Sequence, residues 1–398
     1  MTKRAGSAAP RQNPKNGKWW FIVDGGPGED GQRRQARRKG FATKKAAQEE
    51  LDRIRGKART ASFVTPTKMT VKEYLTQWLD GLGLRASTCD GYRRNLDYVI
   101  PVLGGRRLDS VTALDLNALY KTLLASGRRQ KPYGPLSKRT VRYIHTTLSK
   151  ALSDAVREGT LSRNVAEAAK PPRAMDTKAP EMAWWTPAEL QTFLGLTADE
   201  SLGPLFRIAA MTGMRRGEVC GLRWCDVDLD KARLEVRRQL LVVRSPGAPD
   251  GGLLFSDQTK TSDGRRTIDL GPATVATFKD QRKRQAEQRL ALGAGWVNER
   301  GLVFTQPDGR PLDPESVART FSRRVARSKL PRVRFHDLRH SHVAHLIAAG
   351  EQPLVISKRL GHSSTSFTMD RYGHLFEDAG SQAAIAVEAM VDGSSASG

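Results

Sequence analysis

The chain has 398 residues, with 66 Lys+Arg against 42 Asp+Glu, a formal net charge of +24 and a pI near 10.3. That length suits two or three domains, and so basic a protein points to a polyanionic partner, nucleic acid first. Cys89, Cys220 and Cys225 make no disulfide framework, no stretch reaches the roughly 18–20 apolar residues that span a bilayer, and Lys3, Arg4 and Arg11 precede no apolar signal core. A cytoplasmic protein with no membrane partner is expected.

The positive charge is uneven. Residues 1–60 hold 16 Lys+Arg against 6 Asp+Glu and residues 61–173 hold 19 against 9, so most of the excess lies in the first half. Residues 18–23 and the basic run 33–41 predict strands. A helix over 43–54 follows, capped by Thr43 and apolar at Ala46, Ala47, Leu51 and Ile54. The glycine-rich loop at 25–31 lacks the Lys-Ser/Thr of a phosphate cradle. An uncharged run, 61–67, predicts a linker, after which 68–172 reads as all-helical. Helices are predicted at 71–79, at 88–100 with Pro101 ending it, and at 137–158. The last has Ser137 as cap, Val141, Ile144, Leu148, Leu152 and Ala155 at helical spacing, and Gly159 as stop. Its other faces carry Lys138, Arg139, Arg142 and Lys150. Solvation is the ordinary reading of such charge; its repetition across so basic a region favours contact with a DNA backbone.

Pro171-Pro172 and the stretch to Pro180 form a second linker, and from Thr186 onward the pattern is mixed. Helices are predicted at 187–194, 202–211 and 216–222, strands at 234–243 and 265–270, and mainly helices from 273 onward. This part carries a spaced set of polar residues: Thr212-Gly213-Met214-Arg215, Lys260-Thr261, His336-Asp337-Leu338-Arg339, Leu360-Gly361-His362 and Tyr372. Arg215 sits where a glycine turn meets a helix start, a place that suits anions. Asp263-Gly264 puts Lys260 near a hairpin tip. His336 and Arg339, three apart, share one face of a helix's first turn. His336, His340, His342 and His345 raise the question of zinc, but no cysteine or acidic pair stands at ligand spacing, and neither a metal nor another cofactor is expected.

The order and spacing of these residues resemble the tyrosine recombinase (phage integrase) family over most of the chain. The resemblance implies a multidomain fold: a small α+β arm-type DNA-binding domain (1–60), an all-α core-binding domain (68–172), and a mixed, mainly α catalytic domain with a small antiparallel sheet (181–398). It selects Arg215 over Arg216 as the first arginine, makes Lys260 the acid that protonates the leaving 5′ oxygen, and makes Tyr372 the nucleophile. Arg215 and Arg339 would clamp the phosphate, His362 would donate to it, and His336 is the expected base, because a tyrosine of ordinary pKa, about 10, needs help to attack at neutral pH. Glu218 could brace Arg215. The expected activity is site-specific recombination of double-stranded DNA by a homotetramer. Such integrases often use a host DNA-bending protein and an excision factor. The apolar stretch 382–391 suits docking on a neighbouring protomer or folding back on its own domain. Rivals are a type IB topoisomerase, a catalytically silent DNA-binding protein, and a resolvase of chromosome dimers or plasmids.

Overall fold

The computed structural model describes residues 9–14, 16–27, 33–59, 67–129, 131, 133–177, 182–243, 252–256, 265–361, 364–373 and 388. The chain divides into two compact units, Met1–Ala179 and Pro180–Gly398.

The first unit opens with an antiparallel sheet ordered β1 (Arg11–Gln12), β2 (Trp19–Pro27), β3 (Arg33–Phe41), followed by helix α1 (Lys44–Arg59). Strand alternation sends Phe21 and Val23 to one face, where they are buried with Ala47 and Leu51 of α1. Phe41 stacks on Phe21 at 5.5 Å between ring centroids. Trp20 is partly exposed, and the Arg37 guanidinium lies 3.7 Å from its ring centroid, a cation–π contact.

Helices α2 (Val71–Asp80), α3 (Ala86–Leu96), α4 (Ile100–Leu103), α5 (Ala113–Ser126) and α6 (Lys138–Arg157) then surround a second core that includes Leu75, Leu96, Leu116, Ile144 and Leu148. Local chemistry starts these helices. Thr70 with Glu73 and Thr112 with Asp115 form capping boxes on α2 and α5, and the Ser137 hydroxyl accepts from the Thr140 N–H at the start of α6. The predicted helix 88–100 is corrected: α3 starts earlier and stops at Leu96. Pro101 lies in the first turn of α4, where its missing N–H has no partner to lose. Helix α5 was not among the predicted elements. On α6, Lys138 and Arg139 are exposed, whereas Arg142 Nη1 donates to Pro172 O (2.9 Å) and Lys150 pairs with Asp154 (3.3 Å).

The second unit runs α7 (Pro187–Leu196), α8 (Gly203–Thr212), α9 (Arg216–Cys220), β4 (Val227–Asp228), β5 (Arg233–Val236), β6 (Gln239–Val242), β7 (Leu253–Ser256), β8 (Arg266–Asp269), α10 (Pro272–Leu292), α11 (Pro314–Arg327), α12 (Asp337–Ala348), α13 (Pro353–Leu360) and α14 (Thr365–Tyr372). Its strands form two antiparallel sheets, β4-β5-β8 and β6-β7. The predicted strand 234–243 is therefore two strands in different sheets. The break falls at Arg237-Arg238, where the Arg238 side chain turns inward to pair with the buried Asp226 carboxylate. Similarly, the predicted helix 216–222 ends at Cys220. No helix among the described residues is long and apolar enough to cross a membrane.

An aromatic cluster organises this unit's core. Phe193, Phe206 and Phe335 surround Phe321, with centroids 5.0, 5.4 and 5.6 Å from it, and Trp185 lies 4.9 Å from Phe193. Phe193→Ala should leave a cavity where α7, α8 and α11 meet and cost about 3–5 kcal/mol. The expected outcome is a lower calorimetric midpoint for the C-terminal unit alone; an unchanged midpoint would show that the cluster does not govern its stability.

Candidate active site

A left-handed glycine sets the first arginine. Gly213 closes α8 at φ +63°, and a Cβ there would lie 2.7 Å from His342 Cδ2 and 2.9 Å from Leu360 Cδ2. Glycine thus permits both the turn and the close approach of α12 and α13. Two residues on, Arg215 caps α9. Its N–H donates to Glu218 Oε2 (2.8 Å), Nη1 donates to Glu218 Oε1 (2.8 Å), and Nη2 reaches Gly361 O (3.3 Å). Glu218 braces Arg215 as its sequence position suggests. Burial alone would raise the Glu218 carboxyl, but Arg266 and then Arg215 bring it down to about 2.

Arg339 approaches from the other side. It lies one turn into α12 and is buried, with Nη1 on Gly213 O and Nη2 on Leu360 O, both at 2.7 Å. Arg215 and Arg339 therefore converge on the carbonyls of Gly213, Leu360 and Gly361. Burial, followed by the Arg215 charge, pulls Arg339 down to about 9, which leaves it cationic at neutral pH. Helix α12 is held in rotation by Trp185. Its N–H donates to Ser341 Oγ (3.0 Å), and its carbonyl accepts from His345 Nε2 (2.9 Å).

The third group is aromatic. His336, at the N-cap of α12, lies edge-on to His340 with ring centroids 5.4 Å apart. The Tyr372 hydroxyl is hydrogen-bonded to His340 Nδ1, so it is His340, one helical turn beyond His336, that holds the tyrosine. Tyr372 is 2% exposed and packs on Val343, Ile356 and Leu360. Burial raises its hydroxyl to about 12. His336 falls to about 4, through partial desolvation first and the Arg339 charge next; His340 also falls to about 4, through burial and then His336. His340 Nε2 is buried with no hydrogen-bond partner among the described residues.

Lys260 and His362 lie outside the described residues, as do the Asp263-Gly264 hairpin tip and, apart from Glu388, the stretch 382–391. The elements beside Lys260 and His362, β8 and α13, are described and cross-linked. Arg266 Nε donates to Arg359 O (2.7 Å), and Arg359 Nη1 donates to Asp269 O (3.2 Å). Among the described residues no His, Cys, Asp and Glu side chains gather as a metal-ligand set. Sequence reasoning missed two residues here, His340 and Arg266. Helical spacing could have placed His340 beside His336, and period-two alternation could have put Arg266 on the covered face with Ile268. Neither pattern names the partner.

Residues 186–378 match the phage integrase family, and residues 11–58 match an arm DNA-binding domain. The chain carries a phage integrase family domain, that of tyrosine recombinases. It is 26% identical over 380 residues to a XerC-like tyrosine recombinase of Caldanaerobacter subterraneus subsp. tengcongensis, covering 91% of this chain and 94% of that protein. With an integrase of Streptomyces ambofaciens it shares 29% identity over 390 residues, 94% of each. The solved Tn1549 transposon integrase, in complex with a circular intermediate DNA, matches 76% of this chain and 95% of that one, with a TM-score of 0.61 at 22% identity. That likeness is one of fold, an integrase-like architecture; in this chain the matched arm DNA-binding domain comes first, and the mainly helical second unit bears small antiparallel sheets.

The imidazoles make acid stability testable. His336 and His340 fall to about 4 and His342 to about 3, each lowered first by burial. In the unfolded chain they take up protons near pH 6.5, so below that pH the unfolded state binds more protons and the folded state loses stability. The melting temperature of the C-terminal unit should fall between about pH 7 and pH 5, and fall less in His340→Gln. Equal pH dependence in both proteins would count against a depressed His340.

Proposed function

We propose that this recombinase is a site-specific integrase that breaks and rejoins duplex DNA through a 3′-phosphotyrosine, integrating and excising a phage or other mobile element. The observation that carries the reading is the convergence of Arg215 and Arg339 on one set of carbonyls, with Tyr372 on the helix that follows. Two planar cations match the non-bridging oxygens of a phosphodiester and the charge they gather in the transition state. His336 takes the Tyr372 proton as the phenolic oxygen attacks phosphorus. The P–O5′ bond breaks, Lys260 protonates the departing oxygen, and His362 donates to the phosphate. Because the phosphotyrosine keeps the energy of the original bond, a second 5′ hydroxyl can reverse the step on a new partner without a nucleotide.

Residues 1–60 are assigned to accessory (arm-type) DNA sites, 68–172 to the core site and 181–398 to cleavage. The working form is a homotetramer on DNA in the cytoplasm, assisted by a host DNA-bending protein and an excision factor. Exposed basic residues support the first two assignments: Arg37, Arg38 and Lys39 on β3, Lys138 and Arg139 on α6. Since the Tyr372 hydroxyl is covered in its contact with His340, attack follows its release from that contact.

Covalent-adduct capture tests the reading. In a host carrying the native element, denatured wild type should carry DNA from a pair of short shared sites, whereas Tyr372→Phe should carry none yet still bind those sites. Attachment that survives the substitution would refute the nucleophile; adducts scattered across the genome would favour a topoisomerase. Deleting 1–60 should weaken binding to accessory sites more than core cleavage, and equal loss of both would argue against a separate arm module.

A further inference from the structure

We propose that Arg266 is a positioning residue for strand cleavage, whose guanidinium sets Glu218 and, through it, Arg215 in the geometry that receives the scissile phosphate. The inference rests on the assignment of Arg215 as a phosphate clamp. Arg266 Nη2 donates to Glu218 Oε2 at 2.8 Å and Nη1 to Oε1 at 3.2 Å. Arg215 uses the same two oxygens, its Nη1 on Oε1 and its backbone N–H on Oε2, both at 2.8 Å. Each carboxylate oxygen is thus held by both arginines, and Glu218 cannot turn without breaking a bond to each.

Exposure separates their tasks. The Arg215 side chain is 39% exposed and open to a ligand, whereas those of Arg266 and Glu218 are 4% and 3% exposed. Arg266 also reaches further. Its Nε donates to Arg359 O, just ahead of the Leu360 and Gly361 carbonyls that receive Arg339 and Arg215. One buried side chain on β8 therefore ties together α9, the end of α13 and the strand that returns from the Lys260 segment.

Charge gives the arrangement a second consequence. The charged groups facing Glu218 are Arg215 beside it, Arg266 from β8 and Arg339 from α12. With Arg266 present, one carboxylate is shared between two cations, and Arg215 keeps attraction for a phosphate. Without it, Glu218 answers to Arg215 more closely, and burial favours its protonated form as the pH falls.

The test uses the full chain and a nicked duplex carrying the site recovered by adduct capture. Wild type should form the phosphotyrosine adduct and Tyr372→Phe should not. Arg266→Ala and Arg266→Gln should form it about 100-fold more slowly, with duplex affinity little changed, because a clamp displaced by ~1 Å costs that much. Their rates relative to wild type should decline further as pH is lowered from about 8 to about 6, and adding Glu218→Gln to Arg266→Ala should flatten that decline. Arg266→Lys, which keeps the charge but not the fork, should recover a flat ratio and part of the rate. Wild-type cleavage by Arg266→Ala would overturn the inference. So would a pH-independent loss, unrescued by lysine, that tracks a lowered melting temperature. An absence of adduct in wild type itself would remove the clamp reading, and the inference with it.

Discussion

Two guanidinium groups held side by side in a partly dry site repel each other, and the catalytic unit is built around that repulsion. Arg215 and Arg339 are kept together by the carbonyls of Gly213, Leu360 and Gly361 and by one buried carboxylate, Glu218. Carbonyl dipoles offset part of the repulsion without neutralising the cations. Those carbonyls become available because two helices end in left-handed glycines, Gly213 at φ +63° and Gly361 at φ +66°. Helix ends leave carbonyls without intrahelical partners, and here the arginines use them. The packing of α8 against α12 and α13 is thus a requirement of the site as well as of the core.

Tyr372 is covered beside this field, and the Arg339 charge still acts on its hydroxyl. Tyr372 is wedged among aliphatic side chains with its hydroxyl on His340, where burial keeps it neutral. Of the four histidines clustered on α12 and its cap, His342 accepts from Arg359 and His345 donates to Trp185 O, so both serve packing. His336 and His340 lie edge-on to one another, and burial keeps both neutral at neutral pH. Regular helical spacing has delivered four imidazoles to four different surroundings.

Charge is unevenly divided along the chain. Most of the basic excess lies before residue 174, while several arginines of the second unit are engaged within it. Arg238 on Asp226, Arg266 on Glu218 and Arg334 on Asp337 are all intramolecular pairs.

Much of this was legible locally. The capping boxes at Thr70, Thr112 and Thr186, the apolar stripe of α6 and the strand at 33–41 follow from patterns within a few residues. The spacing of Arg215, His336, Arg339 and Tyr372 singled these residues out, and the structure brings Arg215 and Arg339 to neighbouring carbonyls and Tyr372 to His340. What was misread includes the strand at 234–243, which breaks where Arg238 turns to Asp226, and the helix at 88–100, which stops at Leu96 before Pro101 enters the first turn of α4. The sequence by itself therefore determined the elements and the chemical inventory, because periodicity, capping and side-chain type are local properties. Only the tertiary structure decided that Tyr372 meets His340 rather than His336, and that Arg266 shares Glu218 with Arg215, because those bonds join residues 32 and 48 positions apart whose pairing no local pattern encodes.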